Sequence, residues 1–193
     1  MKTSSSTSRS SGRREVRLAP VAIALVLAAC ATGQSRRAVV VDLDNLLAFA
    51  RPETCERSPQ HEAFMNAMVR IDNETVYPGR IAASHALSAA FGPIQYRRAD
   101  GYQVVSTSVS GRWLGMRLLE ISQSFPEGGD PGDFHFVLDV PLEQVRERLR
   151  AAGFPVTTQE MISLPDSDGY EHSLTLARSP ANADHTIFGC GWN

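Results

Sequence analysis

Lysine is nearly absent from this chain of 193 residues, because Lys2 is the only one and arginine carries almost all of the positive charge. A domain without lysine has no ammonium for a Walker-type phosphate loop, for Ser-x-x-Lys acylation or for Schiff-base chemistry. The lack of lysine beyond residue 2 therefore excludes several common enzyme mechanisms.

Common catalytic motifs are also missing. The chain contains no Gly-x-Ser-x-Gly, His-Glu-x-x-His, Gly-x-Gly-x-x-Gly or Cys-x-x-Cys, which are the patterns of nucleophile elbows, zinc proteases, dinucleotide sites and redox pairs. Its five histidines are scattered, and no two have the spacing of metal ligands. We expect a protein that is not an enzyme and that holds no cofactor and no metal.

The apolar stretch at residues 18–29 is short. It has about a dozen residues, whereas a helix that spans a bilayer needs roughly 20. Lys2 and four arginines precede it, so the pattern favours a signal peptide over a transmembrane helix. The stretch ends in Leu27-Ala28-Ala29-Cys30, which resembles the lipobox of bacterial lipoproteins.

The resemblance implies cleavage before Cys30 and attachment of a diacylglyceryl group and an N-acyl chain to Cys30, so that lipid holds the protein on a membrane. In lipoproteins an Asp after the lipidated Cys favours the inner membrane. Ala31 stands there in this chain, which implies the periplasmic face of the outer membrane. A soluble periplasmic protein and an uncleaved anchor are the alternatives.

These features divide the chain into three parts. Residues 1–29 are the expected signal peptide, residues 30–37 the lipidated cysteine with a short tether, and residues 38–193 a single globular domain. Without residues 1–29 the chain has 14 arginines against 20 aspartates and glutamates, a net charge of −6. That charge disfavours nucleic acids and anionic lipid surfaces as partners.

Two cysteines, Cys55 and Cys190, remain once Cys30 is assigned to lipid. In an oxidising compartment two remaining cysteines favour one disulfide. Such a bond would join the start of the domain to its last few residues. Two buried thiols and a metal pair are the alternatives.

The first half of the domain has helical periodicity. Asp42 is a candidate cap for a short helix that Pro52 stops, and Ser58 before Pro59 is a start for a second helix. A third helix is expected over residues 80–91. Apolar residues recur at helical spacing in these segments: Leu43, Leu46, Leu47 and Ala50; Phe64, Met65, Met68 and Ile71; Ala83, Leu87 and Ala90.

The second half changes to the period of strands. Two extended runs flank a predicted turn at Ser110-Gly111. In a third strand Phe134, Phe136, Leu138 and Val140 alternate with His135, Val137 and Asp139, which predicts one buried face. A helix is expected from Pro141 to Gly153, and its apolar stripe is Leu142, Val145, Leu149 and Ala152. Strands are expected after it at residues 156–164, 170–177 and 185–190. We therefore predict an α+β fold, an antiparallel sheet of about five strands with three to four helices packed mainly on one face.

Four residues, Asp130, Asp133, His135 and Trp192, are candidates for a protein-contact surface. The two aspartates belong to a loop rich in Gly and Pro, and long exposed loops carry recognition more often than packing. Trp192 is a candidate interface aromatic, although a ring that covers the edge of the core is the alternative. His135 lies between Asp133 and Asp139 in the sequence, and a carboxylate can tune an imidazole for proton transfer.

A second acidic turn contains Asp166 and Asp168 around Gly169. Calcium loops place several carboxylates on a tight turn, but an EF-hand loop needs about a dozen residues. We expect a hairpin turn without an ion, because Asp and Gly are favoured in turns for backbone reasons.

Three functions of different classes remain. The first is a protein-binding module, an inhibitor or immunity-type protein against a cell-wall-degrading enzyme, whose basic surface an acidic domain would complement. The second is a structural accessory of an envelope assembly or secretion complex. The third is a hydrolase with an atypical site at Asp133, His135 and Asp139.

Overall fold

The computed structural model of the chain describes residues 40–73, 75–82, 84–127, 132–164 and 172–192. All of them belong to the same structural unit, Ala38–Asn193. The predicted signal peptide, the lipid attachment at Cys30 and the tether lie outside the described residues and stay predictions. No helix in the described ranges is long and apolar enough to cross a bilayer.

Strands are the main secondary structure of the described chain. They are β1 (Val41–Asp42), β2 (Phe49–Arg51), β3 (Glu56–Arg57), β4 (Val69–Asp72), β5 (Thr75–Pro78), β6 (Gln95–Ala99), β7 (Tyr102–Trp113), β8 (Met116–Pro126), β9 (Phe134–Leu138), β10 (Met161–Leu164), β11 (His172–Arg178) and β12 (Thr186–Trp192). The helices are α1 (Pro59–Met68), α2 (His85–Ser88) and α3 (Leu142–Ala151), and Pro52–Thr54 forms a 3₁₀ turn.

One eight-stranded sheet forms the centre of the fold, in the order β1-β7-β8-β9-β12-β11-β10, and β6 also pairs with β7. Its strands are antiparallel except that β1 runs parallel to β7. The pairs β2-β3 and β4-β5 form separate two-stranded hairpins. The predicted α+β fold, with about five antiparallel strands and three to four helices, is therefore wrong: the sheet is larger and mixed, and only α1 and α3 exceed a single turn in the described residues.

The first predicted helix is a single turn. The amide of Leu47 donates to the carbonyl of Leu43 at 2.9 Å, and both side chains are fully buried. Strands β1 and β2 flank this turn. Apolar residues four apart share a face of one turn as well as of a long helix. The spacing therefore identified Leu43 and Leu47 as buried, but Leu46 is half-buried and Ala50 is exposed in β2.

The second predicted helix begins as expected and ends early. The side chain of Ser58 accepts the amide of His61 at the N-terminus of α1, next to Pro59. The helix ends where Val69 takes an extended conformation and β4 begins. Ile71, predicted on the helix face, is instead 51% exposed in β4. The third predicted helix is also wrong over most of its length, because only the turn α2 forms there.

The hairpin between β7 and β8 turns later than predicted. Its turn lies at Leu114 and Gly115, which both have positive φ, 51° and 71°, as in the two-residue turns that match strand twist. Gly111 instead pairs with β1. A Cβ on Gly111 would lie 2.6 Å from Cδ1 of Leu43, so this glycine serves close packing rather than a turn.

The core lies between the sheet and helices α1 and α3. Its largest fully buried side chains include Trp113, Phe134, Phe136 and Phe188, whose rings pack in stacked, tilted and edge contacts. Val145 and Leu149 of α3 belong to the same cluster; they lie on the apolar stripe predicted for this helix. The helices therefore cover one face of the sheet.

Cys55 and Cys190 lie at disulfide-bonding distance, with Cα atoms 6.2 Å apart and 135 residues between them in sequence. The bond joins the residue after the 3₁₀ turn to β12. A loop of this length implies a stabilisation on the order of 4 to 5 kcal/mol through the entropy of the unfolded chain.

His61 is the one fully buried histidine of the described residues. Its Nδ1 donates to the carbonyl of Ala48 at 3.3 Å, while Nε2 has no hydrogen-bond partner among the rings of Phe49, Phe134 and Phe136. Burial, together with the charge of Arg57, lowers the pKa of His61 to about 3. His61 is therefore neutral in the folded protein.

We expect His61 to make stability depend on pH. Its pKa rises from about 3 in the folded protein to about 6.5 in the unfolded chain, so only the unfolded chain takes up this proton between those values. As pH falls below 6.5, the free energy of unfolding should fall by up to about 1.4 kcal/mol per pH unit.

Urea unfolding of the wild type and His61→Asn from pH 7 to pH 4 measures this slope. Asn keeps a donor for Ala48 but does not titrate, so its curve should be flatter at every pH in that window. Parallel curves for the two proteins would contradict a depressed pKa at His61.

Candidate protein-contact surface

One face of the sheet is covered by helices, and no helix among the described residues covers the other. Along β9 the side chains of Phe134, Phe136 and Leu138 are buried on the helix side, whereas His135 and Val137 are half-buried on the opposite side. We call this opposite side the open face.

A continuous row of the open face crosses seven strands. Its members are directly opposite one another in the strand register, so neighbouring Cβ positions are roughly 5 Å apart. The row consists of Gln95, Ser106, Ser122, His135, Gly189, Thr175 and Met161. His135 is its only titratable member.

His135 lies against the backbone of β12. A Cβ on Gly189 would be 2.4 Å from Cδ2 of the imidazole and 2.7 Å from the carbonyl oxygen of Phe134. Burial lowers the pKa of His135, and the negative charge of Asp133 acts in the opposite direction. Glycine at position 189 therefore allows the imidazole to lie close to the sheet, within the field of one carboxylate.

Asp133 lies close to Gly191, as His135 lies close to Gly189. A Cβ on Gly191 would lie 2.0 Å from Oδ1 of Asp133 and 2.8 Å from Oγ of Ser173. The carbonyl of Asp133 accepts the amide of Ser124 at 2.8 Å, which holds its backbone beside β8. Asp133 and Ser173 thus meet above Gly191, one step along the sheet from His135.

Sequence reasoning missed these two glycines. Glycine inside a strand indicates that another group approaches closely, and a spacing of two puts Gly189 and Gly191 on the same face. The approaching side chains belong to β9, to the residue before it and to β11, and β9 pairs with β12 across a long sequence separation. That pairing is not visible in the spacing of residues.

Asp139 shares the open face with His135 but has other partners. Its Oδ2 accepts from Nη1 of Arg117 at 2.9 Å, and its Oδ1 lies 3.4 Å from Nε2 of His185. The structure therefore brings Asp133 and His135 together and directs Asp139 towards Arg117 and His185. An arrangement in which both carboxylates orient His135 is not present.

Trp192 ends β12, where its backbone pairs with His172 of β11. Since β12 pairs with β9, the ends of these strands bring the backbone of Trp192 to the same end of the sheet as Asp133 and His135. Three of the four predicted contact residues are therefore on or next to adjacent strands.

Asp130 and the turn with Asp166 and Asp168 lie outside the described residues, so their roles stay predictions. In the described part of the chain, no group of three or more His, Cys, Asp or Glu side chains is placed to hold a metal ion.

Glu120 adds a further carboxylate to the open face. Burial raises its pKa, and the positive charge of Arg97 acts in the opposite direction. Together with Asp133 and Asp139 it makes three carboxylates on this face, whereas Arg97 and Arg117 are the arginines that act on them.

Two clefts of about 290 and 240 Å³ open elsewhere, on the helix side of the molecule, and both are lined by Ile81. Of all their lining residues only Arg80 carries a charge. They contain no pair of an acid and a base, so they offer no catalytic constellation.

No family model, no curated protein and no solved structure matches this chain.

We expect Gly189→Ala to destabilise the domain by roughly 1–3 kcal/mol, because the methyl group would overlap Cδ2 of His135 and the carbonyl of Phe134. Urea unfolding measures the change. In a His135→Ala background the overlap with the imidazole is gone, so Gly189→Ala should lower the free energy of unfolding by less. Equal costs in both backgrounds would mean that the imidazole does not lie over Gly189.

We also expect the pKa of His135 to lie below 6.5 and to fall further in Asp133→Asn, because the negative charge that favours the imidazolium is removed. Titration of the histidine ring protons by NMR measures both values. Asp139→Asn is the matched control and should leave the pKa of His135 unchanged. A larger shift in Asp139→Asn than in Asp133→Asn would mean that Asp139, and not Asp133, is the carboxylate that acts on His135.

Proposed function

We propose that this chain is a lipid-anchored protein of the bacterial outer membrane, facing the periplasm, that binds a protein partner through its open face at Asp133 and His135. The arrangement of the open face supports this proposal. Helices cover only one side of the sheet, and on the other side Gly189 and Gly191 let Asp133 and His135 lie close to the strands. Sites for small molecules are concave, and the two clefts lined by Ile81 lie elsewhere.

Charge supports a basic partner. The chain from Cys30 onward has a net charge of −6. On the open face Glu120 and Asp139 have Arg97 and Arg117 as partners, and Asp133 lies beside His135. Complementary charge increases the rate of association and the discrimination between partners. A cell-wall-degrading enzyme with a basic active-site rim has the matching chemistry, and the chain would act on it as an inhibitor or immunity-type protein.

Crosslinking of the full-length lipidated protein in its native membrane, followed by mass spectrometry, tests the proposal. We expect a basic periplasmic hydrolase to be captured by the wild type and to lose cell-wall-degrading activity when bound. Asp133→Arg should weaken the complex by at least about tenfold, because it places like charges opposite each other.

Glu147→Arg is the matched control, because Glu147 is an exposed carboxylate on α3, on the covered side of the sheet. It should capture the same enzyme as the wild type. If Asp133→Arg and Glu147→Arg capture equal amounts of the enzyme, the open face is not the contact surface. If the captured protein has no hydrolase activity, the chain is not an inhibitor of such an enzyme.

A further inference from the structure

Two exposed tyrosines each hold an arginine in place. The guanidinium of Arg70 lies over the ring of Tyr77, 4.7 Å from its centroid. Nε of Arg98 donates to Oη of Tyr96 at 2.9 Å. The rings are 38% and 37% exposed, and both arginines are exposed. We call Arg70, Tyr77, Tyr96 and Arg98 the tyrosine–arginine patch.

Gln103 joins the two pairs. Its Oε1 accepts the amide of Val76, the residue before Tyr77, at 3.1 Å, and it accepts Oη of Tyr96 at 3.3 Å. Gln103 itself is only 3% exposed. A buried amide therefore connects the hairpin β4-β5 to β6 and lies between the two tyrosines of the patch.

The patch is distinct from the open face. Tyr96 is opposite Val105 and Arg98 is opposite Gln103 in the pairing of β6 with β7, and Val105 and Gln103 are buried on the helix side. Tyr96 and Arg98 thus belong to the side of the sheet that faces away from His135.

The arginines of the patch are held in place without a carboxylate. No carboxylate of the described residues forms an ion pair with Arg70 or Arg98; Glu127 acts on Arg98 from a longer distance. Ordering a mobile arginine side chain costs up to about 2 kcal/mol of conformational entropy. The contacts with Tyr77 and Tyr96 already order these arginines in the unbound protein, so binding loses less entropy. Two guanidinium groups are therefore presented for bidentate bonds to carboxylates.

Tyrosine and arginine are the residues that dominate binding energy in protein interfaces. A membrane surface fits less well, because binding to anionic lipid takes a cluster of four to eight basic residues and the domain as a whole is acidic. A sugar ring fits less well too, since Arg70 already occupies one face of Tyr77.

We propose that the tyrosine–arginine patch is a second docking surface, which binds an acidic segment of a partner protein through Arg70 and Arg98. The inference stands independently of the function proposed for the open face. With both surfaces occupied, the chain would bridge a basic and an acidic protein at the membrane.

A photo-crosslinking amino acid at Asp72 of the full-length lipidated protein tests this inference. Asp72 is two residues from Arg70 on the same face of β4, is exposed and belongs to neither pair. We expect crosslinks to a protein segment rich in Asp and Glu. The double substitution Arg70→Glu with Arg98→Glu should reduce their yield by at least about tenfold.

Arg150→Glu is the matched control, because Arg150 is an exposed arginine on α3; it should leave the crosslinks unchanged, as should Asp133→Arg on the open face. A synthetic peptide of the crosslinked segment should bind the wild type, and its Gln-for-Glu version should not. Crosslinks that reach only lipid, that map to a segment without carboxylates, or that persist in the double variant with an unchanged urea midpoint would overturn the inference.

Discussion

Burial of every second residue along β9 is the constraint on which both faces of the sheet depend. Phe134, Phe136 and Leu138 are buried against α1 and α3, and each such side chain contributes roughly 1.5–3 kcal/mol. A slip of one residue in the register would move all three to the solvent side and bring His135 into the core. The open face therefore presents its polar residues because the helix face is filled.

The same constraint extends to β12. Cys190 pairs with Phe134 and bonds to Cys55 on the helix side, so the residues on either side of it, Gly189 and Gly191, belong to the open face. The disulfide and the strand register together place two glycines under Asp133 and His135. The disulfide holds Cys190 on the helix side of β12. Gly189 and Gly191 therefore face the other side, where His135 and Asp133 lie close to the sheet.

The two proposed surfaces have opposite chemistry. The open face has Asp133 beside a histidine of lowered pKa, with Glu120 and Asp139 next to Arg97 and Arg117, whereas the tyrosine–arginine patch presents two guanidinium groups. Partners of opposite charge would therefore reach different sides of one domain. A protein with a single docking surface suits an inhibitor, and one with two suits an accessory of an envelope assembly, so the number of occupied surfaces separates these two functions.

The sequence by itself determined the elements that local physics decides: the start of α1 at Ser58, the alternation along β9 and the apolar stripe of α3. It also identified Asp133 and His135 as candidate contact residues. Only the tertiary structure decided that the apolar repeats around Leu43 end after one turn, that the sheet has eight strands, and that glycines of β12 lie beneath the site. Strand pairing joins residues far apart in sequence, and no local pattern records which strand will be the neighbour.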